Sequence, residues 1–81
     1  MKVEVLFFAA AREKAGVDRV SMEIPAEASV GELWRRLAEE RPALAPVLPA
    51  CRAAVDESFA PACAVLREGS VVAVLPPVSG G

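Results

Sequence analysis

At 81 residues, 54% of them hydrophobic, the chain is sized for one domain around one core, with no room for a second. Its nine Lys and Arg are scattered and outnumbered by eleven Asp and Glu, for a formal net charge of −2, which argues against a nucleic-acid partner. Histidine is absent, two cysteines alone cannot complete a structural zinc site, and every apolar run is too short to cross a bilayer, so neither a bound metal nor a membrane association is expected.

Residues 2–8 read as a strand, with Val3, Val5 and Phe7 on one face and Leu6 and Phe8 on the other. Apolar groups on both faces place such a strand in the middle of a sheet. Residues 9–15 are Ala-rich and contain Arg12, Glu13 and Lys14, and Gly16 suits a left-handed stop, so a short helical turn is expected there. Residues 19–24 alternate polar and apolar strictly, which describes a strand with one face on the core and one in water, ended by Pro25.

Ser29-Val30-Gly31-Glu32 has the form of a capping box, in which the serine hydroxyl accepts from the Glu32 amide and the glutamate reaches back. The helix it opens carries Val30, Leu33, Trp34, Leu37 and Ala38 on one stripe facing a core. Arg35, Arg36, Glu39 and Glu40 take the other side and are spaced to pair at i, i+4. Trp34 therefore reads as core, and Arg41-Pro42 closes the helix. Pro42, Pro46 and Pro49 leave the next stretch as turns or a short helix.

Beyond them, residues 52–55 form a short strand, Asp56-Glu57-Ser58 a turn, and residues 62–66 another short element. Arg67-Glu68-Gly69-Ser70 is a turn before residues 71–75, a fully apolar strand expected to be buried on both faces. With the first and last strands adjacent and parallel at the centre and the helix across one face, the fold class is α+β, a β-grasp with a mixed sheet. Residues 1–75 make the domain and residues 76–81 an extended tail.

Catalytic chemistry has little to stand on. There is no histidine or tyrosine and no phosphate-binding glycine loop, and Glu32, Glu39, Glu40, Asp56 and Glu57 fall on a solvated helix face or in a turn. Cys51 and Cys63 read as buried free thiols in a reducing compartment, the cytoplasm, with no C-x-x-C pair between them. What stands out is Pro76-Pro77-Val78-Ser79-Gly80-Gly81 directly after a buried strand. The prolines lack amide protons, stop the ladder and hold the exit stiff, while glycines without a Cβ fit a channel too narrow for other residues. A stiff root with a slender tip suits delivery of a terminal carboxylate, that of Gly81, into a partner's active site.

Over nearly its whole length the sequence resembles the small sulfur-carrying subunits of molybdopterin synthase, a ubiquitin-like β-grasp family. The resemblance is carried by Val5-Leu6-Phe7-Phe8-Ala9 with Arg12, Glu13 and Gly16, and by the stretch from Gly69 that ends in Leu75-Pro76-Pro77-Val78-Ser79-Gly80-Gly81. It implies that Gly81 is adenylated by a ubiquitin-activating-type adenylyltransferase using ATP, then converted to a thiocarboxylate by a sulfur donor. It further implies that the tail enters the synthase large subunit in a heterotetramer and gives sulfur to cyclic pyranopterin monophosphate. Leu75, Pro76, Pro77, Val78, Ser79, Gly80 and Arg12 would then contact that partner, and the chain itself would bind no cofactor. The departures are Gly69-Ser70 for the commoner Gly-Asp, Ala54-Val55-Asp56 for Ala-Val-Asn, Ser79 for threonine, and the Pro-rich segment 42–49. A carrier for thiamine or tRNA thiolation and a ubiquitin-like protein modifier are the other readings of the same tail.

Overall fold

Five strands form one mixed sheet in the order β2-β1-β5-β3-β4, with the chain running β1 (Lys2–Phe7), α1 (Ala9–Ala15), β2 (Arg19–Glu23), α2 (Val30–Glu40), β3 (Arg52–Val55), β4 (Ser58–Ala60) and β5 (Val71–Leu75). The computed structural model describes residues 1–77; Val78, Ser79, Gly80 and Gly81 of the expected tail lie outside the described residues. β1 and β5 are adjacent and parallel, with Val5 opposite Val72 and Phe7 opposite Val74, and the remaining pairs are antiparallel. This is the β-grasp arrangement expected.

One face of the sheet is covered. Val3, Val5, Phe7, Met22, Ala53, Val72 and Val74 point into a core completed by Val30, Leu33 and Leu37 of α2 and by Ala11 and Ala15 of α1. Burial of each large aliphatic side chain here contributes about 1.5–3 kcal/mol. The capping box forms as read: the Glu32 amide donates to Ser29 Oγ at 3.2 Å, and the Ser29 amide donates to the Glu32 carboxylate at 3.4 Å. The expected pairs of Arg35 and Arg36 with Glu39 and Glu40 do not form. On this exposed face both sides of each pair stay solvated, and holding two long side chains together gains little.

The Pro-rich segment resolves into two 3₁₀ helices, Pro42–Leu44 and Leu48–Ala50, which bury Leu44 and Leu48. Trp34 is half-buried against them, its indole N–H donating to the Leu48 carbonyl at 3.0 Å. The Arg41 guanidinium donates to the Ala15 carbonyl at 2.7 Å and ties the ends of the two α-helices together. Residues 62–66 form no regular element; they make one bridge, Ser29 to Val65, and hold the start of α2 through bonds from Val30 to Ala64 and from Gly31 to Ala62. The β3–β4 hairpin extends the expected turn, because Asp56 and Glu57 both adopt left-handed backbone and fold Ser58–Ala60 back onto β3. At the entry to β5, the Ser70 hydroxyl accepts from the Arg67 amide at 3.0 Å and closes the turn.

Three further expectations need correction. β1 ends at Phe7, and Phe8 is an exposed residue preceding α1. β5 is not buried on both faces: Ala73 and Leu75 are half-buried and Val71 is exposed, as Leu6 of β1 is half-buried, because both helices lie on the same side of the sheet. Cys63 is exposed rather than buried, and Cys51 is half-buried; both are free thiols.

Candidate functional site

The uncovered face of the sheet is the feature that the fold does not use. Strand alternation sets Leu6, Ala73, Ala54 and Phe59 in one row across β1, β5, β3 and β4, with Arg19 of β2 at its end. In the next row toward the chain's exit, Leu75 stands opposite Arg52, and Phe8 continues the line of β1. Phe59 is 63% exposed and Phe8 45%, unusually bare for phenylalanine. The Arg52 guanidinium carbon lies 4.2 Å from the centroid of the Phe59 ring, so a cation is stacked on the apolar row.

The third row is polar. Glu4, opposite Ser21 on one side and Val71 on the other, accepts hydrogen bonds from the Ser21 hydroxyl and from Arg19, the latter at 2.8 Å. Those two bonds, the serine's first, hold its carboxyl below the ordinary carboxylate range. The open face thus grades from a charged, self-paired edge near the start of β1 to an apolar end where β5 leaves the sheet.

Of the expected contact residues, Leu75 and Pro76 are half-buried and Pro77 is exposed, all on that exit. Arg12 lines a recess of about 360 Å³ with Leu6, Phe8, Asp18 and Arg19, and stands 3.8 Å from the Asp18 carboxylate. Its walls come from β1, α1 and the start of β2, so it lies on the β2 side of β1, across β1 from the strand that carries the tail. Phe8, Phe59 and Arg52 join the site although sequence reasoning did not select them. The signal was present in the second apolar face of β1, which calls for a covering layer that a chain with helices on one side does not supply.

A larger groove, about 700 Å³, runs between α2 and the β3–β4 edge, past Trp34, Cys51 and Ala60, and reaches Arg52 and Phe59. Burial pushes the Cys51 thiol up, and its S–H donates to the Val47 carbonyl at 3.2 Å, so it is held away from the thiolate form that sulfur chemistry needs. Among the described residues no group of His, Cys, Asp or Glu could hold a metal ion, and no helix is long and apolar enough to cross a membrane.

A sequence model described as the ThiS family matches residues 5–81. The chain is 35% identical over 83 residues to a molybdopterin synthase sulfur carrier subunit of Homo sapiens, covering 99% of this chain and 94% of that one. Among solved structures, SAMP1 from Haloferax volcanii superposes with a TM-score of 0.89 at 27% identity, each chain fully covered. A chain from the complex of subunits 1 and 2 of the molybdopterin-converting factor of Helicobacter pylori superposes with a TM-score of 0.72 at 28% identity, again over the whole of both chains.

Proposed function

The chain belongs to the ThiS family, and from that membership we propose that it is a sulfur carrier of molybdenum cofactor biosynthesis, the small subunit of a molybdopterin synthase. The observation that supports this reading best is the graded open face, whose apolar end, Phe8 and Leu75 with Arg52 beside them, lies where the chain leaves the sheet toward Gly81. An exposed apolar surface continuous with the root of a slender tail fits a partner that grips the domain while the tail reaches a reaction centre. The Helicobacter pylori assembly pairs such a subunit with subunit 2, and the corresponding large subunit is the partner we assign to this face.

Gly81 carries the chemistry in this reading. A free carboxylate is a poor electrophile; attack on the α-phosphorus of ATP, with pyrophosphate leaving, makes an acyl-adenylate, and a sulfur nucleophile then displaces AMP to leave a thiocarboxylate. The adenylyltransferase and the sulfur donor supply those steps in the cytoplasm. The large subunit supplies the acids, bases and pocket for cyclic pyranopterin monophosphate, so the carrier holds no cofactor. The test is intact mass after incubation with the adenylyltransferase, ATP and a sulfur donor. The sulfur-for-oxygen increment should appear at Gly81 and survive replacement of Cys51 and Cys63 by serine; an increment that disappears with either thiol sinks the assignment.

A second reading, attachment to protein lysines, draws on the likeness to SAMP1, a small archaeal modifier protein by its name. It predicts conjugates joined through Gly81 in cell extracts that vanish when Gly81 is deleted. Activated carrier that forms no such conjugates and passes its sulfur to the pterin precursor leaves the first reading standing.

A further inference from the structure

Among the described residues, four other than glycine hold positive φ: Ala9 at 49°, Glu27 at 65°, Asp56 at 49° and Glu57 at 73°. Asp56 and Glu57 form a hairpin turn that requires this conformation, and Glu27 lies in the turn after Pro25. Ala9 has no such setting. It is the first residue of α1, directly after Phe8, and where the chain needs the same backbone at the far end of α1 it uses Gly16. Left-handed backbone costs a residue with a Cβ about 1–2 kcal/mol, and outliers of this kind gather at functional sites.

The neighbouring bonds show what the turn at Ala9 achieves. On one side of Phe8, the Phe7 amide donates to the Asp18 carbonyl at 2.8 Å. On the other, the Phe8 carbonyl accepts from the amides of Ala11 at 3.0 Å and Arg12 at 3.3 Å. Reversal within a single residue sets the last tie of β1 and the first ties of α1 on either side of Phe8, while its extended backbone keeps the ring on the open face. The ring lines the recess with Leu6, Arg12 and Arg19 on the β2 side of β1, while β5, which ends at Leu75, pairs along the other side of β1.

We propose that Ala9 is a positioning residue for docking on the large subunit: its left-handed turn pins Phe8 as a preorganised aromatic anchor at the tail end of the open face. The proposal rests on reading that face as the docking surface. An anchor already held in its bound orientation loses less freedom on association, which is how rigid aromatic groups come to dominate interfaces. Valine is the informative replacement, because a β-branched residue is a steric outlier at positive φ and forces the turn to another path. Glycine adopts the existing turn freely.

The experiment is a double-mutant cycle read as affinity for the purified large subunit, with a melting curve for every variant. Phe8→Ala should weaken binding about tenfold or more, as loss of an aromatic anchor does. Ala9→Val should weaken it about tenfold in the wild-type background yet by less than about twofold when Phe8 is already alanine, the non-additivity of residues acting as one unit. Ala9→Gly should bind as wild type does. An unchanged affinity for Phe8→Ala overturns the docking assignment at this end of the face. A large loss for Phe8→Ala, together with an equal loss from Ala9→Val in both backgrounds, overturns the role of Ala9 alone. Should the valine variant not fold, Ala9→Thr, β-branched and more polar, takes its place in the same cycle.

Discussion

The two faces of the sheet come from the same strands, and their side chains alternate residue by residue, yet they end in different states. Toward the helices, Val3, Val5, Val72 and Val74 are fully enclosed with Leu33. On the other side, Phe59 and Phe8 remain largely in contact with water. The open face carries charge toward Glu4 and Arg19 but is apolar along Leu6, Ala73, Ala54, Phe59 and Leu75, and that apolar part stays uncovered because both helices lie on the other side. The covered face holds the domain together, and the bare one is the surface that we assign to the partner.

The sharpest way to break this distinction is to exchange the consequences of truncation. Leu33→Ala removes a fully enclosed side chain of α2 and should cost about 2–5 kcal/mol, a large part of the roughly 4–12 kcal/mol that a domain of this size possesses. A melting curve should show a deep drop or no cooperative transition. Phe59→Ala removes a bigger side chain from the open face and should cost less than about 1 kcal/mol, chiefly the stacking of Arg52. If the two variants lose comparable stability, the open face belongs to the core after all.

Leu75→Glu probes the same line from the binding side. The residue is half-buried on the last position of β5, and the new carboxylate would stand opposite Arg52, where a cross-strand ion pair offsets part of the lost apolar contact. Stability should fall by about 1 kcal/mol or less, whereas affinity for the large subunit should fall at least about tenfold, because the charge would be buried against an apolar partner. A variant that unfolds places Leu75 in the core, and one that binds normally removes it from the interface.

How much of this division was legible beforehand follows from what each residue must satisfy locally. The capping box at Ser29, the alternation in β2 and the prolines that close α2 and β5 are decided by neighbours in sequence, and each appears where it was read. The fate of Leu6, Ala73 and Leu75 depends on whether anything arrives to cover them, which no local pattern records; the apolar run 71–75 reads as buried on both faces because apolar residues in a central strand usually are. Phe59 was missed because Asp56 and Glu57 lack the glycine that normally marks a tight hairpin, leaving β4 hidden inside a turn. The end of the site that could be named from sequence, Leu75 and Pro76, is the part fixed by chain order.

That hairpin gives a smaller test, placed away from the exit. Glu57→Gly frees a residue at φ 73° from its left-handed backbone while leaving Asp56, whose carboxylate accepts from the Val71 amide at 3.0 Å, to hold the start of β5. The change should stabilise the domain by about 0.5–1 kcal/mol after the greater freedom of glycine in the unfolded chain is counted. For a domain of this size that raises the melting midpoint by about 2–8 °C. Affinity for the large subunit should stay within about twofold, since the turn adjoins Val71 at the opposite end of β5 from Leu75. A loss of binding would mean that the docking surface extends to both ends of the sheet.

The smallest expected effect belongs to the polar edge of the open face and appears only as a dependence on pH. Glu4 is kept ionised by the Ser21 hydroxyl and by Arg19, which place its folded pKa below that of the unfolded chain. A depressed carboxyl pKa adds stability that is fully present above the unfolded value and is lost as pH falls through the folded one. The sign therefore predicts that Glu4→Gln lowers the melting midpoint slightly near pH 7 and that wild type and variant converge as the solution is acidified through the carboxylate range, about pH 4 and below. The difference should be small and should shrink in high salt, because the Arg19 side chain is 63% exposed and the pair is well solvated. Melting curves of both proteins at neutral and acid pH, with and without added salt, provide the measurement. A gap that persists unchanged in acid would assign Glu4 a packing role, and the polar edge would then resemble the covered face more than the apolar end of its own.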